Sequence, residues 1–252
     1  MAALYSLEHL ADADLRLLAG VAGERLASDF IARLRSRPEE LERLLLHPGL
    51  WQTIFGRGST EAFLHASPFL VFAALVQRTA YELRTASYID EWAGPRQRVP
   101  LFDVASVRSF AMDSGRRLFL AELLASYTHV SSGTMLVRTA RGLRRRRFSE
   151  LDPARLAELA ELAPVADRPA IIRRLGDLSL FLTGVFPDYA DRGLEALEDI
   201  GRRAYATSAE GTQGATASLL KDLSEQFRSG RRFLNRLTDR YLFPLRESWF
   251  PA

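Results

Sequence analysis

Cysteine is absent from the chain, so no disulfide framework and no thiolate metal site can form. Thiol chemistry and cysteine-based zinc modules are excluded with it, as is covalent haem attachment of the c type. Lysine is almost as scarce: Lys221 stands alone beside 33 arginines. Arginine codons are GC-rich and lysine codons are not, so the skew reports genome composition first. It also supplies fork-shaped donors suited to carboxylate or phosphate. Long apolar runs are missing too. The longest, Pro68 to Val76, falls far short of the roughly 20 residues a membrane span needs. The first residues lack a basic start followed by an apolar run, so no signal peptide is expected and a cytoplasmic location is the default. There is no Gly-rich phosphate loop ending in Lys-Ser or Lys-Thr, no dinucleotide fingerprint, no Gly-x-Ser-x-Gly elbow, no His-Glu-x-x-His and no Glu-x-x-His pair. These absences lower the expectation of an enzyme without removing it.

What remains is the balance of a globular protein. Over 252 residues the chain is 47% hydrophobic and 26% charged, with a net charge of +3, and it is long enough to bury a core. Leu18, Ala22, Leu26, Phe30 and Leu34 recur every four residues, which predicts one helix with a buried stripe. Pro38-Glu39-Glu40 opens another, ending at His47-Pro48-Gly49, and Ser67-Pro68 is a start of the same type. Phe69 to Leu83 is apolar nearly all round and is expected to be the central helix, with Tyr88-Ile-Asp-Glu-Trp92 at its end. Gly94-Pro95 closes that region, and Arg98-Val99-Pro100 is expected as extended linker. Asp103, Asp113, Asp152 and Asp167 are placed as caps, the second for a helix over about 114 to 131. Further helices are expected at about 189 to 207, 216 to 228 and 231 to 242, separated by Gly211, Gly214 and Gly230. The fold class is therefore all-α, a multi-helix bundle. One domain over 1–252 is expected, with 95–102 and 133–152 as the places where it could divide.

One stretch departs from helical spacing. Thr134 to Thr139 and Leu143 to Phe148 flank Ala140-Arg141-Gly142, and Met135 and Val137 alternate with Leu136 and Arg138. A small β-hairpin near 134–148 is the expected structure; a continuous helix through Gly133 and Gly142 is the competing one. From Leu123 to Ser149 there is no acidic residue, while Arg138, Arg141, Arg144, Arg145, Arg146 and Arg147 all fall in that window. Such a patch attracts an acidic protein or nucleic acid. In a strand, however, Arg144 and Arg146 face opposite to Arg145 and Arg147, and half can pair internally with Asp152, Glu158 or Glu161.

Leu175-Gly-Asp-Leu-Ser-Leu-Phe-Leu-Thr-Gly-Val-Phe-Pro-Asp-Tyr189, followed by Gly201-Arg-Arg-Ala-Tyr205, resembles a pattern in uncharacterised all-helical proteins of GC-rich bacteria. The resemblance covers the last third of the chain. It implies a helical fold and nothing about chemistry.

The best metal-like constellation is Glu61 with His65, which share a face at i, i+4 if that segment is helical. Glu82, Glu122 and His129 are candidate further ligands, and imidazole with carboxylate suits zinc, iron or manganese. His47, His65 and His129 lie near bulky apolar residues and raise the haem alternative. Surface ion pairs explain the same residues. Glu91 and Trp92, with Arg96 and Arg98, could line a cleft or simply pack. Asp177, inside an apolar helix, needs a partner, for which a guanidinium, Tyr205 and Tyr189 are candidates. The tail Tyr241–Ala252 carries Leu242, Phe243, Trp249 and Phe250, which must dock on the body or on a second copy; a homodimer is one outcome. The expected function is a non-catalytic binding or regulatory module. A metal- or haem-binding helical protein or enzyme, and a nucleic-acid binder through the arginine hairpin, are the alternatives.

Overall fold

The structure, a computed structural model, describes residues 7–56, 65–129, 132–139, 142–149, 151–188, 190 and 193–244. After a short 3₁₀ turn at Leu7–His9, the helices are α1 (Asp12–Val21), α2 (Ser28–Ser36), α3 (Pro38–Leu45), α4 (Pro48–Phe55) and α5 (Pro68–Leu83). A hairpin of β1 (Ile89–Gly94) and β2 (Gln97–Leu101) follows, then α6 (Ala105–Met112) and α7 (Ser114–Ser126). A second hairpin, β3 (Ser132–Thr139) with β4 (Gly142–Ser149), precedes α8 (Pro153–Leu162), α9 (Arg168–Val185), α10 (Leu194–Glu210), α11 (Gly214–Glu225) and α12 (Phe227–Leu237). A π-helical turn over Thr238–Leu242 extends α12.

The all-α class is observed, with the expected hairpin at β3–β4. Its antiparallel register runs from Ser132 opposite Ser149 to Thr139 opposite Gly142, so the continuous helix through Gly133 and Gly142 does not form. The β1–β2 hairpin was not expected. Tyr88–Trp92 does not end the central helix, because α5 stops at Leu83 and Ile89 opens a strand. Arg98-Val99-Pro100 is strand rather than linker. Pro95 and Arg96 make the turn between them, Arg96 with φ 58°, the order of a turn with proline at its second corner and positive φ at its third. Two helix boundaries also differ. The stripe from Leu18 to Leu34 is divided between α1 and α2 by a break at Gly23, whose φ is 72°. Gly230 lies inside α12 rather than between helices.

The chain forms two compact units. The first comprises Met1–Ile89, Phe102–Thr128 and Arg236–Ala252. Its centre is α5, where Leu70, Leu75 and Leu83 are fully buried against α3, α6 and α7. Ser67 starts this helix by accepting from Leu70 N at 3.1 Å, and Pro68 sits at its first position, where the missing N–H costs nothing. Each such leucine contributes about 1.5–3 kcal/mol by leaving water. Two buried polar side chains of this core are anchored to neighbouring groups. Thr79 donates to Leu75 O at 2.8 Å, and Arg117 donates to Ala111 O and Met112 O and pairs with Glu42 at 2.6 Å.

The second unit comprises Asp90–Leu101 and His129–Asn235. Here α10 packs between α9 and α11, and α8 lies against α9 and β4. Helices α9 and α10 approach closely because glycine faces ring: a Cβ on Gly176 would come within 2.7 Å of Tyr205 Cδ1. Asp152 caps α8 as expected, accepting from Ala154 N and Arg155 N. Asp177 is met by the Tyr205 hydroxyl at 3.0 Å, with Arg173 at 3.9 Å. Tyr189 lies outside the described residues.

Candidate functional site

Among the described residues, His65, Glu82, Glu122 and His129 are not gathered into one group placed to hold a metal ion. Glu61 lies outside the described residues, and His65 is exposed. Glu82 is engaged by cations and a phenol, as described below. Glu122 pairs with His9 at 2.8 Å. His129 is exposed, and His47 uses Nδ1 to accept from Gly49 N at 3.0 Å as the cap of α4. Among the described residues no group of three or more His, Asp or Glu is placed to hold a metal ion. In the β3–β4 register, Arg138, Arg145 and Arg147 pair with Leu143, Leu136 and Thr134, while Arg144 and Arg146 pair with Val137 and Met135. Arg141 lies outside the described residues. So do Trp249 and Phe250.

Two cavities are rich in charge, one in each unit. In the second unit a cavity of about 620 Å³ is lined by Glu91 and Trp92 of β1, Glu195 and Glu198 of α10, and Arg228, Arg231 and Arg232 of α12, among others. Its charges alternate along a chain. Arg228 Nε meets Glu198 Oε1 at 2.9 Å, Arg231 Nε meets Glu198 Oε2 at 3.2 Å, and Arg231 also meets Glu91 Oε1 at 2.7 Å. Arg232 closes the chain on the other Glu91 oxygen. Each carboxylate is thus held by two guanidiniums, and Arg231 and Glu198 are each only 5% exposed. The Trp92 indole donates to Asp188 at 2.6 Å, which ties β1 to the loop after α9. With its charges paired, this network joins β1, α10 and α12 structurally.

The first unit holds a cavity of a different kind. About 490 Å³ in volume, it is lined by Tyr81 and Glu82 of α5, by Arg84, Thr85 and Ala86 after it, by Arg236 in the last turn of α12 and by Arg240 in the π-helical turn. Spacing at i, i+4 places Arg236 and Arg240 on one face. Glu82 faces two cations and a phenol: Arg240 Nε lies 2.6 Å from Oε2, Arg78 Nε 3.3 Å from Oε1, and the Tyr241 hydroxyl donates to Oε1 at 2.5 Å. The remaining arginines are different. Arg84 makes a cation–π contact, its guanidinium carbon 5.6 Å from the Tyr81 centroid, and has no acidic partner among the described residues. Arg236 has none either, and its Nε is buried without a hydrogen bond. Three guanidiniums less one carboxylate leave two positive charges on the wall. Desolvation by burial, reinforced by Glu82, raises the Tyr241 phenol above its ordinary value of 10.0.

None of these arginines carried a motif. The one signal in the sequence was the i, i+4 spacing of Arg236 and Arg240, with Asp239 between them; Arg84 becomes significant only when α5 ends where it does. No protein-family model, curated protein or solved structure matches the chain.

The Tyr241 contact has a measurable consequence. A phenol with a raised value adds stability that is fully present below about pH 10 and is lost as pH rises through the folded value, where phenolate would face the Glu82 carboxylate. The melting temperature is therefore expected to fall more steeply at alkaline pH in the wild-type protein than in Tyr241→Phe. Equal alkaline slopes in scanning calorimetry would show that the hydroxyl does not sit against Glu82.

Proposed function

We propose that this chain is a non-catalytic binding module whose ligand is an anion held in the Arg84–Arg236–Arg240 cavity. The observation that carries this is the pair of arginines there without acidic partners, one of them with a buried, unpaired Nε. Arg236 as a whole is half-buried and Arg84 exposed, but the buried Arg236 Nε lacks an acceptor, which is costly, and a carboxylate or phosphate oxygen entering the cavity supplies acceptors to this wall. Guanidiniums suit holding rather than turnover, because they do not release protons near neutral pH. The cavity volume falls in the range of small-molecule sites, about 300–1,000 Å³.

Isothermal titration with phosphate, sulfate and succinate tests the reading. Binding is expected for at least one of them, weakening as salt is added because the wall charges are partly solvent-facing. Arg84→Gln and Arg236→Gln are each expected to weaken it by roughly ten- to a hundredfold, the worth of one charge-assisted hydrogen bond. Heats that are absent at low salt, or unchanged in both variants, would remove the cavity as the ligand site.

A further inference from the structure

We infer that the anion is a phosphomonoester on a flat-ringed carrier, a nucleoside monophosphate in chemical class, with its phosphate between Arg84 and Arg236 and its ring on Tyr81. This rests on the anion reading above and adds the identity of the ligand. Charge is the first ground. Glu82 already answers Arg240, so Arg84 and Arg236 present two positive charges. A phosphomonoester carries about −1.5 to −2 at neutral pH and offers three acceptor oxygens, enough to serve both guanidiniums. A single carboxylate brings one charge and leaves one arginine uncompensated.

The second ground is Tyr81. Its residue is 51% exposed, its ring forms part of the cavity wall, and its hydroxyl has no partner among the described residues. An exposed aromatic beside guanidiniums is the arrangement that receives a base, since every base has a π-face and stacking does not depend on base identity. Arg84 already leans on the ring, so the charge that meets the phosphate also lies next to the platform. Thr85 adds a hydroxyl donor on the same wall. The third ground is size. A bare inorganic ion fills a small part of a cavity of about 490 Å³.

The test uses the full chain and four probes: inorganic phosphate, ribose 5-phosphate, adenosine 5′-monophosphate and adenosine. Calorimetry is expected to show the monophosphate binding about tenfold more tightly than ribose 5-phosphate, the contribution of one stacked base. Tyr81→Ala should bring the nucleotide down to the ribose 5-phosphate level. Arg236→Gln should weaken every phosphorylated probe alike. Affinity should also rise as pH passes upward through about 6, where the phosphate takes its second charge. A nucleotide no tighter than inorganic phosphate, or equally tight in Tyr81→Ala, overturns this inference and leaves the anion reading standing. Failure of phosphate, sulfate and succinate together overturns the anion reading itself. Tyr81 is exposed, so its replacement is expected to leave the melting curve unmoved, and an unmoved curve keeps any loss of binding assignable to the ring.

Discussion

Arg231→Ala is expected to destabilise the second unit by about 3–5 kcal/mol, the usual cost of removing one partner from a buried ion pair. The magnitude follows from what is left behind. Arg231 is the middle link of the chain Arg228–Glu198–Arg231–Glu91–Arg232 and touches both carboxylates. Without it, Glu198, itself 5% exposed, keeps only Arg228. That guanidinium stands 62% exposed, where screening by water makes a pair worth about 1 kcal/mol or less. Arg228→Ala is therefore the internal control and should cost about 1 kcal/mol or less. Urea denaturation of the two variants, followed by circular dichroism, measures the difference. Near-equal midpoints would mean that Glu91 and Glu198 are hydrated and that the network does not hold β1 to α10 and α12. The sign of the effect need not imply that the charges are the most stable solution. Apolar side chains of similar volume at all the buried positions can be neutral or better, so what the network supplies here is placement of the β1 strand.

The contrast between the two charged cavities explains how much was legible before any coordinates. Local signals were clear. Pro38, Pro68 and Pro153 each stand at the first turn of an expected helix, because a proline there gives up only a donor that has no partner; Pro48, expected only to end a helix, also opens α4. Asp113 and Asp152 cap helices where their positions require it. The β3–β4 hairpin was visible as alternation interrupted by Gly142. Where tertiary pairing overrides local pattern, the signal failed. Ile89–Gly94 has helix-compatible residues, yet pairs with Gln97–Leu101, and the deciding contacts, Trp92 and the Arg96 backbone to Asp188, cross a long stretch of sequence. Glu82 was singled out for its chemistry, but as a metal ligand; its partners Arg240 and Tyr241 lie at the far end of the chain. The arginine cavity could not be seen at all. In a chain with 33 arginines, no single one stands out, and what distinguishes Arg84 and Arg236 is that they meet on the wall of one cavity.

Asp14→Ala is expected to cost about 2–5 kcal/mol in the first unit, although nothing in the sequence marks this residue out beyond its place near the start of α1. Its side chain is completely buried and serves two backbone donors. Oδ2 accepts from Ala11 N at 2.8 Å, satisfying the start of α1, and Oδ1 accepts from Ser67 N at 2.8 Å, just ahead of α5. One carboxylate thus joins the amino ends of two helices, where the helix dipoles also favour negative charge. Alanine removes the acceptor from both N–H groups, each part of a part-buried hydrogen bond; at about 1–3 kcal/mol apiece the two losses sum to about 2–6 kcal/mol, and water at the exposed Ala11 end holds the total below the top of that range. Asp14→Asn separates charge from geometry. The amide keeps one acceptor oxygen, so it should recover part of the loss, and serine, too short to span both donors, should recover less. Thermal melts of the three variants give the order. If asparagine matches aspartate, geometry alone holds the junction; if asparagine is as damaging as alanine, the negative charge at the paired helix ends is the dominant contribution.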